Sequence, residues 1–110
     1  MLTRKNLIRI NRQFASGRII NESSLDFVLK QTYRSPHWFK IMCLLSRTIL
    51  LDHVFEDGNK RTATGVIMTY LDLNGQTYNP DKIAQIVLQI TKQNVSSITK
   101  IGRLINYAIK

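Results

Sequence analysis

The chain has 110 residues, enough for one domain with a single packed core. Its 44% hydrophobic and 21% charged residues are the proportions of a folded globular protein and exclude a disordered or low-complexity tract. The formal net charge of +9 points to an acidic partner or a basic solvated surface, and one cysteine excludes a disulfide framework or a cysteine-based zinc site.

Helix joined by short loops is predicted throughout. Leu7, Ile10 and Phe14 form a first helical stripe, expected to end at Gly17. Asn21 or Ser23 can cap a second helix carrying Leu25, Val28 and Leu29. After the break at Tyr33-Arg34-Ser35-Pro36, Pro36 fits the first turn of a third helix running to about Val54. Trp38, Phe39, Ile41, Met42, Leu44, Leu45, Ile49 and Leu50 cover almost its whole circumference, which marks a central, buried helix. A fourth helix is expected from near Asn59 to Asn74-Gly75, with Ala63, Val66, Ile67, Tyr70 and Leu71 on one face. Asn79-Pro80-Asp81 opens a fifth, with Ile83, Ile86, Val87 and Ile90 inward. Ser96 or Ser97 can cap a sixth, with Ile98, Ile101, Ile105 and Ala108 inward. The expected fold class is all-α: one domain over residues 1–110, a bundle of about six helices with a polar motif loop between two central ones.

The basic excess lies at the two ends, with seven basic and two acidic residues in 1–35 and five and one in 76–110. Aromatics are not interleaved with these cations, so nucleic acid is not the expected partner. The run Ile41–Leu51 is broken by Ser46, Arg47 and Thr48 and is too short for a membrane span. Arg4, Lys5, Arg9 and Arg12 interrupt any signal-peptide core, and a buried lone Cys43 fits a reducing compartment, so a cytoplasmic location is expected.

The chemistry concentrates in His53-Val54-Phe55-Glu56-Asp57-Gly58-Asn59-Lys60-Arg61. His53 can take a proton from an incoming hydroxyl. Asp57 can hold Mg²⁺ against phosphate oxygens. Gly58 permits a tight turn and a close approach of backbone to phosphate. Asn59, Lys60 and Arg61 then open a helix whose first N–H groups face any bound anion, with Lys60 adding a point charge and Arg61 a forked donor. Cations at a helix N-terminus oppose the helix dipole, a local misfit that an anion would resolve. Phe55 is expected inward and Glu56 in solvent, and His37 has no metal-spaced partner. Each residue also has a plainer role: His53 as a helix-end histidine, Asp57-Gly58 as a turn, Lys60 and Arg61 as a solvated face.

The string resembles H-x-F-x-[DE]-G-N-x-R, the signature of the Fic/Doc proteins. These transfer part of a nucleotide to a hydroxyl on a target protein. Lys60 followed by Thr62-Ala63 is more similar to the Doc (death-on-curing) branch. Ser24–Leu29 and Tyr70–Gly75 resemble the family's flanking helices, and the likeness covers residues 20–77. It implies ATP and Mg²⁺ as cofactors. His53 would be the catalytic base, Asp57 the metal ligand, and Gly58, Asn59, Lys60 and Arg61 the phosphate cradle.

Adenylylating members carry glycine where Lys60 stands and a second arginine where Thr64 stands. Lys60 would crowd the α-phosphate, so the resemblance implies a reversed nucleotide with its γ-phosphate at the catalytic centre. The expected activity is a toxin kinase acting on a Ser or Thr hydroxyl of a target protein, by family analogy a translation factor. Transfer of AMP is the alternative within enzymes, and a non-catalytic basic helical binding module is the alternative outside them. Val54 replaces the family's usual proline, and the segment Lys30–His37 is short for the family's target-holding flap. The family's inhibitory motif has no counterpart at the required offset, so inhibition is expected from an antitoxin in trans.

Overall fold

The computed structural model describes residues 2–35 and 37–110. Thr3 caps α1 (Arg4–Arg12) through a capping box, accepting from the Asn6 N–H while the Asn6 side chain accepts from the Thr3 N–H. Asn21, rather than Ser23, caps α2 (Glu22–Arg34). α3 spans Trp38–Leu51, with His37 at its N-cap making no capping bond. Pro36, expected in its first turn, lies outside the described residues. α4 (Asn59–Leu73) opens after Gly58, and α5 (Pro80–Gln93) starts with Asn79 capping Asp81 and Lys82 and Pro80 in the first turn. Ser97 caps α6 (Ile98–Asn106). Among the described residues there is no strand, only two isolated bridges, Ile19 with Phe55 and Tyr78 with Ile109.

α3 and α4 form the centre, with α1 and α5 flanking α4 and α2 and α6 flanking α3. Nine of the fourteen α3 residues are buried, so the nearly all-round apolar pattern does mark a central helix. Its buried Ser46 is satisfied by donating to the Met42 carbonyl at 2.7 Å. The inward faces expected of α4 and α5 are all buried, as are Ile101, Ile105 and Ala108 of the C-terminal segment. The radius of gyration, 12.6 Å, matches the ~13 Å of a single domain of this size. No helix among the described residues is long and apolar enough to cross a membrane.

Three sequence expectations shift. α1 stops at Arg12, not Gly17, because the Asn11 carbonyl gathers the N–H groups of Phe14 and Ala15 while its side chain accepts from Gly17, closing the chain into turns. Phe14 is therefore not core but 42% exposed. α3 stops at Leu51, not Val54. The Asp52 carbonyl accepts from the Asn21 side chain at 2.8 Å and the Val54 carbonyl from the N–H groups of Ile20 and Asn21. These bonds pull the backbone across to the α1–α2 connector instead of continuing the helix.

Candidate active site

The loop between the two central helices is fixed from three sides. On the first, the α1–α2 connector pairs with it around Ile19 and Phe55, the Ile20 N–H donating to Val54 at 2.8 Å and the Glu56 N–H to Arg18 at 3.0 Å. On the second, Asn59 folds its side chain back onto Phe55, its Oδ1 accepting from the Phe55 N–H at 3.0 Å and its Nδ2 donating to the Phe55 carbonyl at 2.8 Å. Phe55 itself is fully buried, as expected, and pins the loop to the core.

The third side is Asn11, which sequence reasoning missed. Its fully buried side chain donates to the Asp57 carbonyl at 2.8 Å and to Thr62 Oγ1 at 2.9 Å, and accepts from the Gly17 N–H at 2.8 Å. One amide thus joins the end of α1, the motif loop and the first turn of α4. The signal was present: Asn11 sits four residues after Leu7, on the apolar face of α1, where a polar residue must be satisfied.

His53 stands two residues beyond α3, not at its end, with φ +49. A left-handed backbone is uncommon outside glycine, although histidine tolerates it better than most. The imidazole is exposed. Gly58 has φ +75, and a Cβ there would approach Ala15 Cβ and Asn11 Nδ2 at 3.2 Å each. Only glycine meets both the turn and the close packing of loop against α1.

His53, Asp57, Gly58, Asn59, Lys60 and Arg61 all line one depression of about 530 Å³, together with Phe14, Leu50, Glu56 and Thr91. The six candidate residues therefore share one surface. The Asp57 carboxylate is exposed, with Oδ1 accepting from the Gly58 N–H at 2.8 Å. No side chain caps α4, and the first helical bond there runs from the Thr62 N–H to Gly58. The N–H groups of Asn59, Lys60 and Arg61 precede it and have no intrahelical acceptor. Among the described residues neither Lys60 nor Arg61 is in an ion pair, whereas Arg4 pairs with Glu22 and Asp26. The Arg61 guanidinium lies over the Phe14 ring at 5.9 Å, within cation–π range. Both ends of the Asn59 side chain are occupied by the loop, so its backbone N–H is the group it can offer an anion, as the sequence predicts.

The described residues contain no group of three metal-ligating side chains. Two carboxylates, Asp57 and Glu56, line the depression, and a Mg²⁺ ion is usually held by no more than one or two carboxylates plus phosphate oxygens and water. The segment expected to act as a flap is helical up to Arg34, so only residues 35–37 connect α2 to α3. His37 is exposed and Glu56 faces solvent, with a weak contact to Arg18 at 3.9 Å. The chain matches no protein-family model and no curated protein.

Proposed function

We propose that this protein is a Doc-like member of the Fic/Doc family, a toxin kinase that moves the γ-phosphate of ATP to a Ser or Thr hydroxyl of a target protein. The observation that carries it is the convergence of His53, Asp57, Lys60, Arg61 and the uncapped start of α4 on one depression. An exposed imidazole beside an anion cradle supplies the two functions such transfer needs, a proton acceptor and charge stabilisation. The hydroxyl oxygen forms a bond to the terminal phosphorus while that phosphorus loses its bond to the bridging oxygen. The hydroxyl proton passes to His53 and ADP leaves. Lys60 and Arg61 meet the charge on the phosphate oxygens, and Asp57 would hold the Mg²⁺ that neutralises part of it.

Lys60 favours transfer of the terminal phosphate over AMP, since its side chain lines the depression and would crowd an α-phosphate and its bulky ester. Incubation with α-labelled and γ-labelled ATP and a cell extract separates the two. Label entering protein only from the γ position is expected, and label entering only from the α position would establish adenylylation instead. A binding module without catalysis predicts that His53→Ala leaves the cellular phenotype unchanged. Inhibition in trans by an acidic antitoxin segment fits the +9 charge.

A further inference from the structure

A second compartment of about 700 Å³ lies against the motif depression, between α1, α4 and α5. Its volume is that of a small-molecule site. Phe14, Lys60 and Arg61 line both spaces, whereas His53 lines only the first. In space the order is therefore His53, then the two cations, then the compartment. Its walls are largely apolar, with Ile10 from α1, Met68 from α4 and Leu88 from α5, and Leu88 is 45% exposed. Phe14 presents an exposed aromatic ring at the boundary, a surface on which a planar ring can stack.

Beyond Lys60 and Arg61, the polar side-chain atoms along the α4 side of this space are acceptors. Thr64 Oγ1 gives its proton to the Lys60 carbonyl at 2.9 Å, and Thr69 Oγ1 gives its proton to the Gly65 carbonyl at 2.7 Å. At the far end Tyr78 donates its hydroxyl proton to Asp72 Oδ1 at 2.9 Å, which leaves the carboxylate to accept. An acceptor-rich apolar slot suits a flat heterocycle whose edge carries N–H donors.

We infer that this compartment holds the nucleoside half of the nucleotide, with Thr69 and Asp72 selecting bases that carry an exocyclic amine, an inference that rests on the phosphoryl-transfer reading above. The order in space then fixes the orientation. With the base beyond Lys60 and Arg61, the polyphosphate runs back across the two cations and its terminal phosphorus faces His53. Along α4, Arg61 and Asp72 are about 16 Å apart at 1.5 Å per residue, a separation that keeps the base end well away from the imidazole.

Calorimetric titration of the whole chain with Mg²⁺ and ATP, ITP or inorganic tripolyphosphate tests this. ITP carries a carbonyl in place of the adenine amine. The wild type should bind ATP at least about fivefold more tightly than ITP, and more tightly than tripolyphosphate. Ala84→Trp, on the exposed side of α5 in the compartment wall, fills the space without touching the core. It should weaken ATP by about tenfold or more and leave tripolyphosphate within about twofold. Asp72→Asn should narrow the preference for ATP over ITP, because the new amide can donate. ATP binding unchanged in Ala84→Trp, with tripolyphosphate still bound, would overturn the compartment while leaving the phosphate cradle standing. A wild type that binds neither ATP nor tripolyphosphate would overturn both.

Discussion

Asn11→Ala isolates what holds the motif loop in place. The substitution removes three hydrogen bonds, to the Asp57 carbonyl, to Thr62 Oγ1 and from the Gly17 N–H, with lengths of 2.8, 2.9 and 2.8 Å. At about 1 kcal/mol net each, the loss is about 3 kcal/mol if none is replaced. Asp57 and Gly17 lie near the surface, where water can substitute, but Thr62 is fully buried and its hydroxyl is left facing a void. The expected destabilisation is therefore about 2–3 kcal/mol, a large part of the total stability of a small domain. That lowers Tm by roughly 10–20 °C for a chain of this size, measurable by calorimetry or circular dichroism. Because the same amide joins α1 to the loop, the Phe55 and Glu56 N–H groups should exchange with solvent faster even where the fold persists. Thr62→Val supplies the cycle: with the hydroxyl already gone, the double substitution should fall short of additivity by about 1 kcal/mol. A Tm for Asn11→Ala within about 3 °C of wild type, or full additivity with Thr62→Val, would show that the loop is held by its own turns and not from α1.

His53→Gly should abolish phosphate transfer yet leave stability within about 1 kcal/mol, because glycine relieves the left-handed backbone while losing more chain entropy; a clear drop in Tm would mean that the imidazole packs structurally. Gly58→Ala should destabilise by about 1–2 kcal/mol, through φ +75 and the 3.2 Å approach to Asn11 and Ala15, and should lower ATP affinity in the same titration. Gly65→Ala would place a Cβ 2.8 Å from Ile10 Cγ2, so it should push α1 from α4, lower Tm and alter the compartment without touching the motif. Burial pushes the Cys43 thiol up to about 12, so the folded chain keeps its proton where the unfolded chain ionises, near pH ~8.5. The stabilisation tied to the neutral thiol is complete below that pH and is lost as pH rises towards about 12. In urea titrations, the advantage of wild type over Cys43→Ala should shrink between pH 8 and pH 10, whereas a constant difference would mean that Cys43 is not desolvated.

The sequence by itself determined the helical class and most of the inward faces. Residues such as Ile83, Ile86, Val87 and Ile90 repeat at helical spacing, and burying such a stripe is a local property of the chain. It also placed the candidate site residues in one short string, because residues 53–61 stay close in space whatever the rest does. Helix ends were less legible. α3 stops where the Asp52 and Val54 carbonyls find partners far along the chain, which no local pattern names, and α1 stops where Asn11 closes turns onto Phe14, Ala15 and Gly17 instead of continuing the helix. Only the tertiary structure turned Phe14 outward over Arg61, committed the Asn59 side chain to the loop, and set a compartment from α1 and α5 beside the cations. Those features depend on the packing of helices separated in sequence, and periodicity within one helix carries no information about which surface its neighbour will present.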